Sequence, residues 1–351
     1  MENKNGSPMV GGGRNVGIDL LRIWMCFEVV LIHFWSYNVG DGNIVQDFLS
    51  WNRTIAVSCF MFVSFILSGK YISNWRSSPE KLPIRILRLS IPIVVWTIIY
   101  FALFYLAQKV FNMDLDIGFK DIFWQLFFGH SFNMPMWFMN DLLYLTLVFV
   151  GICAIKSQRI KTIILLLLIV GSFVIEYTGL HGCFFGDLRN ELKYPFGRAI
   201  EMIPYSCTGI LFGMYDLTGL LKSKRLLVLP ILLLAALGMY LFWNIPAGYN
   251  YGSVGLKLFV ISIAVSLVLI LIPFEKLSHW LLVSIGFVAK YTLGIYCMHN
   301  MMGLMLNKIV LAKFGLPENS LDGCLCIFAF CLFSCYLISK IPFKWSKMIV
   351  S

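Results

Sequence analysis

Four ionisable side chains interrupt the apolar run RNVGIDLLRIWMCFEVVLIHFW at residues 14–35: Asp19, Arg22, Glu28 and His33. At about 100° per residue, Arg22 and His33 lie on one helical face. Asp19 joins that face, whereas Glu28 points elsewhere. With a rise of about 1.5 Å per residue, His33 lies roughly 16 Å deeper than Arg22. Because polar groups inside a membrane must meet protein or water, this face indicates either a packing contact or the wall of a reaction chamber.

A second motif is a pair of arginines, Arg85 and Arg88, in KLPIRILRLSIPIVVW. Residues three apart are neighbours on a helix. Two adjacent guanidinium groups can clamp a phosphate. Cationic side chains at the inner end of a span are also ordinary membrane anchors, and the spacing alone favours that anchoring role.

Two later segments place polar groups inside apolar runs. MPMWFMNDLLYL contains Trp137 and Asp141, and AKYTLGIYCMHN contains Tyr296 and His299. Aromatic side chains suit a membrane interface, but that explanation does not cover Asp141. Because an intramembrane histidine or carboxylate is a functional candidate, these four residues are secondary candidates for a chamber lining.

The composition around these motifs is that of a polytopic membrane protein. Of 351 residues, 59% are hydrophobic and 13% are charged, and the mean hydropathy is +0.80. Soluble domains carry about 25% charged residues. The net charge of +10 would suit nucleic acid, but the basic residues cluster in short loops between apolar runs, which indicates membrane orientation instead. The same distribution of charge leads us to expect no nucleic-acid partner. No CxxC pair or His/Cys cluster has metal-ligand spacing, so we expect no metal site.

Ten segments are apolar over the roughly 20 residues that a membrane span needs. They lie at 16–38, 53–72, 89–110, 136–155, 161–180, 198–216, 226–244, 257–273, 281–306 and 323–340. Unbroken apolar stretches favour helices over a strand barrel. The predicted fold is therefore all-α, a single polytopic membrane domain at 14–345 with about ten transmembrane helices, after a disordered lead at 1–13. Residues 121–138 break at Gly129 and predict an interfacial or re-entrant element.

The basic residues predict the orientation of these spans. With the N-terminus inside, the inner segments carry 18 Lys and Arg residues and the outer segments carry 9, with Lys290 inside a span. This excess predicts that both the N-terminus and the C-terminus are cytoplasmic. The loops at 73–84 and 221–225 would then be cytoplasmic. The outward-facing loops would be those at 39–52, 112–120 and 181–196.

Taken in order, these motifs resemble the acyltransferase-3 family of integral-membrane acyltransferases over essentially the whole chain. GIDLLRIWMCFEVVLIHFW is similar to the family's first helix, whose Arg-x10-His pattern is matched by Arg22 and His33. Arg85 and Arg88 resemble its Arg-x-x-Arg motif, and MWF and YTLGIYCMH resemble its later signatures. One departure is Thr292, where a serine is more usual, and the hydroxyl is retained.

The resemblance implies transfer of an acyl group, usually acetyl, from cytoplasmic acyl-CoA to a hydroxyl of a cell-surface or lipid-linked glycan. It implies that His33 is the essential histidine and that Arg85 and Arg88 contact the CoA. Asp19 and Arg22 would support His33 from the same face, although Arg22 could instead touch the acyl donor. We expect such an enzyme among the lipids of a bacterial inner or plasma membrane.

Several alternatives remain open at this point. His33 could act purely as a base or carry the acyl group transiently, and the acyl group could be acetyl or succinyl. The oligomeric state is also open. From another functional class, a transporter or flippase of glycans or small metabolites would explain intramembrane charge equally well. A transporter should show repeat symmetry or interrupted helices in matching halves, and the sequence contains no such repeat.

Overall fold

A computed structural model describes most of the chain. The described residues are 14–35, 55–77, 79–111, 118–129, 131, 134–178, 190–241, 251–274, 276–306, 320–343 and 346–351. The predicted lead at 1–13 and the predicted outer loop at 39–52 lie outside these residues, as do most of the loops predicted at 112–120 and 181–196.

The described residues form fourteen α-helices and two short 3-10 helices, with no strand among them. The α-helices are α1 Val16–Phe34, α2 Ala56–Ser73, α3 Lys81–Phe111, α4 Phe119–Phe128, α5 Trp137–Cys153, α6 Gln158–Thr178, α7 Asn190–Met214, α8 Leu217–Ser223, α9 Arg225–Leu241, α10 Tyr251–Leu271, α11 His279–Lys290, α12 Thr292–Met305, α13 Leu321–Lys340 and α14 Ser346–Val350. The 3-10 helices are Trp75–Ser77 and Met134–Met136. The all-α prediction is confirmed, and each of the ten predicted segments falls on helical structure.

Within the described part of the chain, four helices are long and apolar enough to cross a membrane. They are Ala56–Ser73, Lys81–Leu106, Gln158–Thr178 and Leu321–Lys340. Helices α11 and α12, bent by 58° at the break between them, give a fifth if they cross as one span. The number of ten spans and the cytoplasmic termini therefore remain predictions. The polar face of α1 and the 17-residue length of α5 explain why these two helices are not among the four.

The start of α1 is fastened to the end of α10. The Asn15 side chain accepts a hydrogen bond from the Ile18 amide at 3.3 Å, which caps the helix, and donates to the Ile270 carbonyl at 3.1 Å. A Cβ atom at Gly17 would lie 1.8 Å from the Leu269 carbonyl oxygen, so only glycine permits this approach. The first helix is therefore anchored at the end from which its polar face begins.

Helices α2 and α7 pack backbone against backbone along a glycine seam formed by Gly69, Gly209 and Gly213. A Cβ atom at Gly209 would lie 2.5 Å from the Phe62 carbonyl oxygen, and one at Gly213 would lie 2.5 Å from that of Ile66. Gly209 and Gly213 form a small-xxx-small pattern, which lets helices approach closely in membranes. The seam holds α7 against the most buried of the four long apolar helices.

The break predicted at Gly129 is confirmed. Gly129 ends α4 with a left-handed backbone, at φ 61°, and its amide donates to the Gln125 carbonyl. The ten-residue α4 then lies back on α5, where the Asn140 side chain donates to the Leu126 carbonyl at 2.9 Å. The Tyr144 hydroxyl donates to the Phe127 carbonyl at 2.6 Å. This returning element sets the position of the first turn of α5.

Candidate active site

Two histidines that are distant in the sequence meet where α1 approaches α12. The ring centroids of His33 and His299 lie 5.2 Å apart, with an angle of 39° between the ring planes. His33 is exposed, whereas His299 is completely buried. The Phe34 ring packs edge-on against His299 at 6.4 Å, in space that Gly303 leaves free. One histidine is thus accessible to a substrate, and the other is held in the protein behind it.

The hydrogen bond made by His299 determines its tautomer. Its Nδ1 lies 2.6 Å from the Tyr296 carbonyl oxygen, which can only accept. Nδ1 must therefore carry the proton, and Nε2 of the neutral ring carries a lone pair. Nε2 is buried and has no hydrogen-bond partner in the described structure. Because buried polar atoms are nearly always paired, this unpaired nitrogen marks the histidine pair as a functional candidate.

Arg22 is fastened to the start of α12. Its Nη2 donates to the Thr292 hydroxyl at 3.0 Å, and that hydroxyl donates to the Ala289 carbonyl at 3.0 Å. The Cys26 thiol donates to the Thr292 carbonyl at 3.4 Å. Thr292 thus provides the hydroxyl that joins α1 to the bend between α11 and α12.

The buried Asp19 side chain pairs with Arg14 and lies within electrostatic range of Arg22. Among the described residues, neither Asp19 nor Arg22 contacts His33. Asp19 and Arg22 therefore lie on the same helical face as His33, but the three side chains do not come together. Glu28 faces elsewhere, as its helical position predicts, and accepts a hydrogen bond from the Trp24 indole at 2.8 Å.

The two arginines of the Arg-x-x-Arg motif have different surroundings. Arg85 points inward, where its Nε donates to the Thr146 hydroxyl at 3.1 Å and its Nη2 donates to the Ser64 hydroxyl at 3.0 Å. Its guanidinium carbon also lies 5.2 Å from the centre of the Phe65 ring. Arg88 is exposed. The structure therefore places one arginine between α2 and α5 and leaves the other accessible.

Polar side chains from α5 and α7 form a second group near the histidines. The Arg198 guanidinium carbon lies 4.7 Å from the centre of the half-buried Trp137 ring, and its charge acts on both Asp141 and His33. Asp141 is buried, and its Oδ2 has no hydrogen-bond partner among the described residues. Glu201 lies within electrostatic range of Asp141 and Arg198. The predicted candidates Trp137 and Asp141 thus lie close to Arg198, and Arg198 is within electrostatic range of His33.

Tyr296 connects this group to the histidine pair. Its hydroxyl donates to the Pro135 carbonyl, in the 3-10 helix that precedes α5. Its ring packs at 5.4 Å from the Phe138 ring and at 5.9 Å from the His299 ring. Tyr296 is buried, so its observed role is to hold α12 against the start of α5.

Arg198 and Glu201 are site residues that the sequence prediction missed. The predicted span begins at residue 198, whereas α7 begins at Asn190 and carries Arg198 within the helix. The available signal was the spacing of three residues between an arginine and a glutamate, which places them on one helical face.

No group of three or more His, Cys, Asp or Glu side chains within the described ranges is placed to hold a metal ion. The nine described cysteines are free, and Cys324, Cys331 and Cys335 are fully buried along α13. Their burial and spacing along one helix fit small packing residues.

The sequence matches one family model, described as an acyltransferase domain, over residues 15–340. Neither the curated proteins nor the solved structures give a match. The match includes α1, the Arg-x-x-Arg motif, the histidine pair and all of α13. This protein therefore belongs to the acyltransferase-3 family.

Proposed function

We propose that this membrane acyltransferase moves an acetyl group from cytoplasmic acetyl-CoA to a hydroxyl of a cell-surface or lipid-linked glycan, in the inner or plasma membrane. Family membership supports acyl transfer. The observation that carries the proposal is the exposed His33 held 5.2 Å from the buried His299 at the end of the polar face of α1. Imidazole changes charge near neutral pH, which suits a general base that activates a hydroxyl.

In the proposed reaction, His33 takes the hydroxyl proton as the acceptor oxygen attacks the carbonyl carbon of the thioester. The new ester C–O bond forms and the C–S bond breaks. The departing CoA sulfur then receives the proton from His33, so that the products are the acetylated glycan and free CoA. His33 ends the cycle in its starting protonation state.

His299 is proposed as the residue that positions His33. With its Nδ1 proton committed to the Tyr296 carbonyl, its Nε2 can accept an N–H from His33. The remaining nitrogen of His33 would then carry the lone pair that a base needs. Catalytic hydrogen bonds are often long in the absence of substrates and tighten in the reacting complex, which fits the spacing of the two rings.

The arginines fit a donor that carries phosphates. Arg88 is accessible, so we assign it a direct contact with CoA. A guanidinium group has five N–H donors, and the hydrogen bonds of Arg85 to Thr146 and Ser64 do not use all of them. Arg85 would therefore present its remaining N–H groups from a fixed position. Arg22 is already bonded to Thr292, so we assign it the role of holding α12 in place.

The glycan is proposed to enter beside Trp137, Asp141 and Arg198. The free Oδ2 of Asp141 can accept a hydrogen bond from a sugar hydroxyl, and burial strengthens such a bond. Trp137 provides an aromatic face next to a cation. Arg198, which stacks on Trp137, lies within electrostatic range of His33.

The proposal is tested with purified protein and radiolabelled acetyl-CoA, in the presence and absence of glycan extracted from cells that carry the protein. The expected result is glycan-dependent release of CoA and label in the glycan. The same assay on His33→Gln should give neither, whereas the exposed His279→Ala serves as the matched control and should keep both. Movement of glycan across vesicles without CoA release would instead identify a transporter.

A further inference from the structure

A cavity of about 850 Å³ opens where the start of α1 meets the α8–α9 junction, the end of α10 and α11. Its polar lining includes Arg14, Asp19, Lys222 and Arg225. The rest of the lining is largely apolar, with Pro273, Phe274 and several aliphatic side chains. The predicted orientation places this cavity on the cytoplasmic side, which is where a CoA ester is present.

The charges around this cavity favour an anion. Arg14 is paired with Asp19, and its guanidinium lies against Gly286, where a Cβ atom would be 2.3 Å from Nη1. Lys222 and Arg225 are exposed and make no ion pair with a described carboxylate. Three cations against one carboxylate leave an excess of positive charge in a recess that also offers an apolar wall. A phosphorylated ligand with an aromatic or aliphatic portion suits both features.

The cavity lies at one end of the polar face of α1. From Asp19, this face continues through Arg22 and Cys26 to His33, at spacings of three, four and seven residues that keep the side chains on one side of the helix. Arg22 and Cys26 both contact Thr292. The fourteen residues from Asp19 to His33 span about 21 Å. A thioester arm anchored by its phosphates in the cavity would have to cover about this distance to bring its acyl group to the histidine pair.

We infer that Arg14, Lys222 and Arg225 bind the phosphate groups of the acyl-CoA donor, in a subsite separate from Arg85 and Arg88. This inference rests on the proposed use of acyl-CoA. The phosphate chemistry alone could equally serve the headgroup of an anionic phospholipid. The predicted cytoplasmic position of the cavity, and Asp19, which lines the cavity and lies on the α1 face that carries His33, favour the donor.

The test measures CoA binding to the full-length protein in nanodiscs made of uncharged phosphatidylcholine. The probes are CoA, dephospho-CoA without the 3′-phosphate, and pantetheine without any phosphate. Lys222→Gln with Arg225→Gln should weaken CoA binding at least about tenfold, because charge-assisted hydrogen bonds are lost, and should leave pantetheine binding unchanged. The matched control is Arg159→Gln, another exposed cation on the predicted inner side, which should bind CoA normally.

A second variant addresses the cavity without removing a charge. Gly286→Val would displace the Arg14 guanidinium and narrow the cavity, so it should also weaken CoA binding. Gly171→Val is its control, because a Cβ atom at Gly171 meets nothing within 4 Å. Thermal unfolding of each variant identifies any that fail to fold. If Gly286→Val does not fold, the test rests on the charge variants at the exposed Lys222 and Arg225.

The outcomes separate this subsite from the proposed function. If the wild-type protein binds no CoA, the proposed donor is wrong and the subsite falls with it. If the wild type binds CoA and the Lys222→Gln, Arg225→Gln protein binds it equally well, only the subsite is overturned. If the variant keeps CoA binding but loses retention of anionic phospholipid in mixed nanodiscs, the cavity binds a lipid headgroup and the inference is wrong.

Discussion

Two helix–helix interfaces in this membrane protein are built in opposite ways. Between α2 and α7, the glycine seam brings backbones into contact, and the buried Ser206 hydroxyl donates to the Met202 carbonyl of its own helix at 2.8 Å. Between α1 and α12, polar side chains cross the interface, as Arg22 does to Thr292. There, Nε2 of His299 is buried and has no hydrogen-bond partner within the described part of the chain.

We interpret the α2–α7 interface as structural and propose that the α1–α12 interface takes part in the reaction. An unpaired buried polar atom costs about 1–3 kcal/mol, a cost that the glycine seam avoids. We propose that the unpaired Nε2 of His299 beside the exposed His33 serves the reaction. The close-packed seam fixes α7, the helix that carries Arg198. Substitutions in the two interfaces should therefore affect different measurements.

The largest effect is expected at the α1–α12 interface. Removing a general base typically lowers a rate by about 10²–10⁴-fold, so His33→Ala should lose acetyl transfer by that amount. Because His33 is exposed, the unfolding temperature of the variant should differ little from that of the wild type. Rates of CoA release and unfolding temperatures measured on the same preparation would check both parts. Near-normal turnover by the folded variant would remove His33 from the chemistry.

A smaller effect is expected at the arginine motif, and it should differ between the two residues. Arg85→Ala and Arg88→Ala should each weaken donor binding about tenfold or more, since a hydrogen bond to a charged group contributes roughly 1.5–3 kcal/mol. Arg85→Ala should also lower the unfolding temperature, because it removes the hydrogen bonds to Thr146 and Ser64. Arg88→Ala should not lower it. Equal donor affinity in correctly inserted variants would reduce the motif to a membrane anchor.

The glycine seam should respond in stability and not in chemistry. Gly213→Ala places a Cβ atom 2.5 Å from the Ile66 carbonyl oxygen, so the helices must separate, at a cost of about 1–3 kcal/mol. The unfolding temperature should fall, while turnover per folded molecule stays within a few-fold of the wild type. Gly171→Ala, which meets open space, is the matched control. A large loss of turnover without destabilisation would mean that the seam takes part in the reaction.

The smallest effect concerns orientation, where labelling should change and activity should not. Ser77→Cys and Ser223→Cys place thiols in or beside the loops predicted to be cytoplasmic, in a protein depleted of its other cysteines. An impermeant thiol reagent added to intact cells should leave both unlabelled and should label them after the cells are opened. Labelling of Ser77→Cys from outside would invert the predicted orientation.

The sequence predicts the apolar helices and most of the candidate site residues, but not the contacts between them. His33 and His299 are both recognisable as intramembrane histidines, yet their pairing depends on how α1 packs against α12. The spacing of Arg85 and Arg88 predicts neighbours, whereas the inward direction of Arg85 depends on Ser64 and Thr146 of two other helices. Helical periodicity describes one helix at a time, so contacts between helices are outside its reach.

Arg198 shows a different reason for a missed residue. The predicted span began at residue 198 because the preceding residues, NELKYPFG, are polar or break an apolar run. The helix nevertheless begins at Asn190, so Arg198 lies in its third turn and reaches the Trp137 ring. Hydropathy locates the apolar part of a helix and not the polar turns that precede it.

We propose that His33 catalyses acyl transfer from a donor on the cytoplasmic side to an acceptor on the other side of the membrane. The most direct test uses inside-out and right-side-out membrane vesicles from cells that carry the protein, with impermeant radiolabelled acetyl-CoA added outside. Label should enter the native glycan only in inside-out vesicles, where the cytoplasmic face is accessible, and should be absent from vesicles with His33→Ala. Equal labelling in both orientations, or labelling that persists in His33→Ala, would contradict a cytoplasmic donor site connected to a catalytic His33.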